Sequence, residues 1–204
     1  MSNAQKLLIF SLPNVLTYAR ILAVPLIVLC FFTKGELASS DTARWVALFI
    51  FALASVTDFL DGYLARRWQQ ISNIGRMLDP IADKLLVSVV LLLLVGLDTI
   101  VDWSLWAAVI ILCREILVSG LREYLAALKV SVPVSQVAKW KTAIQMIAIG
   151  FLLAGEAGDK VLPYTSQIGL TLLWISAIVT IYTGWDYFRA GMRHVIEDPK
   201  DGAA

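Results

Sequence analysis

Histidine occurs once in this 204-residue chain, cysteine twice, and charged residues make up only 16% of it. Each scarcity removes a class of function. The two cysteines, Cys30 and Cys113, lie far apart, each inside an apolar run, so there is no C-x-x-C pair; both read as inert thiols buried in helices. The sole histidine, His194, falls in the polar C-terminal stretch and reads as a solvated residue rather than a catalyst. With a formal net charge of +1 and no basic patch interleaved with aromatics, nucleic acid is excluded as a partner. Residues 1–10 lack the succession of basic, apolar and small-residue regions that marks a cleavable signal peptide, so none is expected.

What fills the chain is hydrocarbon. Its hydrophobic fraction is 59% and its mean hydropathy +0.76, against roughly 45–50% apolar in soluble domains. An integral membrane protein of the all-α class follows. A hydrocarbon core about 30 Å thick takes roughly 20 apolar residues of helix to cross. Six segments meet that requirement, near residues 14–33, 43–65, 77–96, 103–125, 134–154 and 163–187. The expected architecture is one membrane domain over residues 1–204, with six transmembrane helices, a short interfacial helix over 1–12 that ends at Pro13, and a polar tail over 190–204. Most tryptophans fall near the span ends, as an aromatic belt does.

Lys and Arg set the orientation. Lys6, the hairpin loop with Arg66, Arg67 and Arg76, the stretch with Arg122, Lys129, Lys139 and Lys141, and the tail with Arg189, Arg193 and Lys200 alternate with loops that are acidic or mixed. The positive-inside rule then puts both termini and the second loop in the cytoplasm.

Against this background, four carboxylates cluster at the second hairpin in the pattern D-x2-D-G-x2-A-R-x8-G-x3-D-x3-D: Asp58, Asp61, Gly62, Ala65, Arg66, Gly75, Asp79 and Asp83. Asp58 and Asp61 share one helix face and Asp79 and Asp83 another, so two packed helices converge four acids. An unpaired carboxylate in hydrocarbon costs at least about 2.5 kcal/mol, so the four are expected to face one polar cavity with a shared counter-charge. Hard divalent cations take oxygen ligands, and magnesium leaves positions for substrate phosphates. Gly62 permits close approach to the helix backbone, and Arg66 on the same side can fork onto a phosphate. Any one of these Asp residues also reads as a solvated cap or a partner of Arg66, Arg67 or Lys84, and Gly62 and Gly75 as packing glycines. The full set matches a random window on the order of 10^-10 of the time.

The pattern resembles the signature of the CDP-alcohol phosphotransferase family, membrane enzymes that move a phosphatidyl or similar group from a CDP-linked donor to an alcohol and release CMP. The resemblance implies a six-helix fold, a homodimer and a cytoplasm-facing site with two Mg2+ ions, Mn2+ being possible. It implies Asp58, Asp61, Asp79 and Asp83 as metal ligands, Asp83 also as the base. It implies Gly62, Ala65, Arg66, Ser72, Asn14 and Thr17 as contacts to the CDP donor.

Pro13-Asn14-Val15-Leu16-Thr17-Tyr18-Ala19-Arg20, Arg114-Glu115-Ile116, Ser119-Gly120-Leu121-Arg122-Glu123 and Lys139-Trp140-Lys141-Thr142 with Gln145 are similar to the phosphatidylglycerophosphate synthase branch of that family. Ala138 departs from it, at a position where Gly is usual. This implies a bacterial inner-membrane protein, with CDP-diacylglycerol as donor and glycerol 3-phosphate as acceptor. A phosphate-bearing acceptor calls for fixed cations, and Arg20, Arg114, Arg122, Lys139 and Lys141 are available, with Glu115 and Glu123 orienting them. The orientation rule alone also explains cytoplasmic Lys and Arg. Serine, inositol phosphate or phosphatidylglycerol are alternative acceptors. A divalent-cation transporter is the alternative of a different class, but no matching acids continue a path through the fifth and sixth spans.

Overall fold

A computed structural model describes residues 12–32, 41–68, 73–128 and 136–196, apart from the side chains at 13, 59–68, 73, 76, 136–139, 190 and 193–196. Within these residues every regular element is an α-helix: α1 (Leu12–Phe32), α2 (Asp41–Trp68), α3 (Asn73–Gly96), α4 (Ser104–Ala127), α5 (Gln136–Asp159) and α6 (Thr165–Ile196). The six correspond one to one with the six expected segments. Three of them, α1, α4 and α6, contain stretches long and apolar enough to cross a membrane, which is consistent with an all-α membrane protein. α2 and α3 carry the acids and bases that dilute their hydropathy. The expected interfacial helix lies outside the described residues except for Leu12.

Several boundaries differ from expectation. Arg66 and Arg67, expected in the second hairpin loop, belong to the last turn of α2, which runs on through Gly62 to Trp68, and Arg76, expected in the same loop, belongs to the first turn of α3. α6 continues to Ile196, into the stretch expected as tail, and Pro199 is the first residue beyond it that cannot continue a helix.

The helices group into two compact units. The first, Met1–Ile100 with Ile149–Gly169, has α1 packed against both α2 and α3. One face of α1 is buried along its length, polar in its first turns (Asn14, Thr17, Arg20) and apolar after them (Ala23, Val24, Ile27). α2 buries Ala43, Ala47, Phe51 and Ala54 at helical spacing. Its small side chains let neighbouring backbones approach where lipid supplies no hydrophobic drive for association. α3 contributes Ala82, Leu86, Val90 and Leu94.

At the end of this unit away from the aspartates, Gly155 breaks α5 with φ +46° and ψ −131°. A Cβ there would overlap the Arg44 guanidinium, which donates to the Leu153 carbonyl at 3.5 Å and the Thr99 hydroxyl at 3.4 Å. Asp159 accepts from the Ser166 hydroxyl at 2.6 Å and the Ser166 amide at 3.1 Å, capping α6. Those two bonds, the hydroxyl first, hold its carboxyl below the usual range.

The second unit is Val101–Ala148 with Leu170–Ala204. α4 buries Ala108, Ile111, Val118 and Leu125, and α6 buries Leu173, Ala177 and a polar series, Ser176, Thr180 and Thr183. Gly191 permits a tight crossing, since a Cβ there would stand 3.0 Å from Leu125 Cδ1 and 3.1 Å from Leu121 Cδ2. Further along, α4 and α6 leave an apolar groove of about 330 Å³ lined by residues including Cys113, Leu117, Trp185 and Phe188. Cys113 is therefore exposed in that groove rather than buried as expected. Cys30 is half-buried and donates to the Leu26 carbonyl at 3.2 Å.

Candidate active site

Two charged clusters stand out, one in each unit. In the first, the i, i+3, i+6 spacing of Asn14, Thr17 and Arg20 puts three polar side chains on the buried face of α1, and α2 and α3 answer them with acids. The Arg20 guanidinium is fully buried. Its Nη1 donates to Asp58 Oδ1 at 2.7 Å and to Asp83 Oδ1 at 2.8 Å, joining α2 to α3 through α1. Thr17 donates its hydroxyl to Asp79 Oδ1 at 2.6 Å. Both acids paired with Arg20 remain partly open, 35% exposed at Asp58 and 44% at Asp83, so each keeps an accessible side toward a ligand.

Three of the four expected acids are thus drawn together by two side chains of α1. The fourth, Asp61, lies in α2 with Gly62, Ala65 and Arg66, and the side chains of that turn lie outside the described residues. Ser72 also lies outside them. Arg20, expected at the acceptor phosphate, is paired with two of the carboxylates. The signal for this was its helical register with Thr17, which spacing alone did not link to the aspartates.

Whether the cluster suits a divalent ion can be judged from its chemistry. Every donor is a hard oxygen, and three carboxylates against one guanidinium leave two negative charges among these four side chains. That donor set fits Mg2+ or Mn2+. Among the described residues no three acidic, histidine or cysteine side chains close on one ion-sized point; the Arg20 nitrogen stands between two of the acids.

The second cluster is cationic. Lys141, buried on α5, is paired with Glu115 on α4. Glu115 also receives Arg114 Nη1 at 3.4 Å, and Arg114 Nη2 donates to the Thr183 hydroxyl of α6 at 3.3 Å. Arg114 Nε is buried without a hydrogen-bond partner among the described residues. Gly184 gives the Arg114 stem its place, since a Cβ there would stand 3.0 Å from Arg114 Cγ. Glu115 therefore orients two cations, as expected, while Thr183 is a partner that the sequence did not single out. Arg122 is exposed on α4 with its guanidinium carbon 5.8 Å from the centre of the Tyr187 ring. Lys139 lies in the first turn of α5, its side chain outside the described residues, as is that of His194.

Acids exceed their cation in the cluster of the first unit, cations exceed their acid in that of the second, and the helices that carry them are those of an all-α membrane protein. A family model for CDP-alcohol phosphatidyltransferase matches residues 10–182, and the chain belongs to that family. Among its relatives is the CDP-diacylglycerol--glycerol-3-phosphate 3-phosphatidyltransferase of Rickettsia bellii (strain RML369-C), 47% identical over 180 residues that cover 88% of this chain and 94% of the relative. A protein of the same name from Bacillus subtilis (strain 168) is 37% identical, with 88% of this chain and 94% of the relative covered. A cardiolipin synthase (CMP-forming) of Oryza sativa subsp. japonica is 39% identical over 89% of this chain and 57% of the relative.

Proposed function

We propose that this protein is a CDP-diacylglycerol--glycerol-3-phosphate 3-phosphatidyltransferase, which transfers the phosphatidyl group of CDP-diacylglycerol to glycerol 3-phosphate and releases CMP and phosphatidylglycerophosphate for anionic phospholipid synthesis. The observation that carries this reading is the gathering of Asp58, Asp79 and Asp83 by Arg20 and Thr17 in a chain whose relatives bear that name.

Asp58, Asp61, Asp79 and Asp83 hold two Mg2+ ions, with Mn2+ as a substitute. Ions held by these residues would supply charge neutralisation at the donor pyrophosphate and so improve CMP as a leaving group. Asp83, partly exposed, takes the proton from the acceptor hydroxyl as it attacks the phosphorus. Thr17 keeps the Asp79 carboxylate oriented. Gly62, Ala65, Arg66, Ser72 and Asn14 bind the CDP part of the donor. Arg114 and Lys141, aimed by Glu115 and Thr183, bind the acceptor phosphate together with Lys139, Arg122 and Arg20, as charge-assisted donors do. The six helices cross a bacterial inner membrane with both termini and the site on the cytoplasmic side, as one catalytic domain that assembles as a homodimer.

CMP release by purified protein in detergent, with CDP-diacylglycerol and Mg2+, tests this. Release with glycerol 3-phosphate but not with serine, inositol phosphate or phosphatidylglycerol is the expected outcome. Release with a different acceptor overturns the acceptor assignment, and no release with any acceptor overturns the catalytic reading.

A further inference from the structure

Cytoplasmic arginines normally reach outward to water or lipid phosphates, but the Arg20 side chain is 0% exposed. A cation withdrawn from solvent in this way needs anions at contact distance. It has them: one nitrogen lies within 3 Å of a carboxylate oxygen from each of two helices. Those oxygens belong to the donor set assigned to a divalent ion, and a carboxylate oxygen shared by a guanidinium N–H and a metal ion holds each less strongly than it would hold either alone. Asp79 is different, because its recorded partner is the neutral hydroxyl of Thr17.

We propose that Arg20 is an internal counter-cation that competes with divalent ions for Asp58 and Asp83, so that ion loading releases its guanidinium to bind a phosphate-bearing substrate. The inference rests on the metal-dependent reading above and adds an order of binding, ion before phosphate. A guanidinium remains charged at any physiological pH. Once an ion takes its carboxylates, the buried cation requires another anion, and its planar fork matches a phosphate. The ion and the phosphate therefore strengthen each other's binding by the same factor. Without an ion, the same contacts tie α1, α2 and α3 together and keep the acids from repelling one another.

Mn2+ binding, followed by electron paramagnetic resonance on purified wild type, Arg20→Gln and Arg20→Lys with and without glycerol 3-phosphate, tests this without turnover. Arg20→Gln is expected to bind Mn2+ about 5- to 150-fold more tightly, the usual span of such coupling. It is also expected to melt lower than wild type without the ion and to lose the tightening by glycerol 3-phosphate that wild type shows. Arg20→Lys, which keeps the charge, stays closer to wild type. Unchanged or weaker Mn2+ binding in Arg20→Gln overturns the proposal while leaving the metal site intact. If Arg20→Gln does not fold, wild type decides: Mn2+ affinity that glycerol 3-phosphate does not alter overturns the proposal. Wild type that binds no Mn2+ overturns the metal-dependent reading and this inference with it.

Discussion

The two charged clusters are built on the same plan with the signs reversed. In the first unit, Arg20 is one cation among Asp58, Asp79 and Asp83; in the second, Glu115 is one acid between Arg114 and Lys141. Each minority charge bridges helices, and each has a threonine nearby that holds one of the majority charges, Thr17 on Asp79 and Thr183 on Arg114. A buried cluster of one sign repels itself apart, whereas a fully paired one has nothing left for a ligand. One opposite charge is enough to hold the like charges together and leaves a net charge, negative in the first cluster and positive in the second.

The largest expected effect comes from breaking the acidic cluster at its reacting member. Asp83→Asn should lower turnover by about 10^2- to 10^4-fold, the range of a general base, while circular dichroism and donor binding stay near wild type. Wild-type turnover in that variant removes Asp83 from the base role. Breaking the cationic cluster should act on substrate capture instead. Lys141→Met deletes a charge-assisted contact of about 1.5–3 kcal/mol, and steady-state kinetics should show the KM for glycerol 3-phosphate raised about 10- to 100-fold with a smaller change in kcat. An equal fall in kcat and kcat/KM would instead place Lys141 in the transition state.

The paired threonines sharpen the comparison. Thr17→Val loses a 2.6 Å bond to a carboxylate, while Thr183→Val loses a 3.3 Å contact from a guanidinium. Thermal melts should show a cost of about 1–3 kcal/mol for the first and a smaller one for the second; the reverse order would mean that the cationic cluster is the better organised of the two. The smallest effect is expected at Asp159, which belongs to neither cluster. Its carboxyl lies below the usual range in the folded chain, so its stabilising contribution is present above about pH 4, the ordinary carboxylate value, and is lost as pH falls through the folded value. The melting difference between wild type and Asp159→Asn should therefore be constant near neutrality and close below about pH 4.

Much of this was legible without coordinates because it is local. Apolar runs of about 20 residues specify helices through the bilayer's thickness, and Gly155 falls where the fifth run was expected to stop. The aspartates declared themselves because acids are rare in such a sequence and their spacing of three and four selects helix faces. The ends were harder: Trp68 and Ile196 lie beyond the apolar runs, because helical hydrogen bonding continues through polar residues that hydropathy does not mark.

By itself, then, the sequence determined the six helical segments found among the described residues, the carboxylate signature and the family, all of which depend on residue type and short-range period. The tertiary structure decided which charge answers which: Arg20 paired with Asp58 and Asp83, Glu115 shared between Arg114 and Lys141, and Thr183 brought to Arg114 from α6. Those partners lie tens of residues apart, and only helix packing sets which face of one helix meets which face of another.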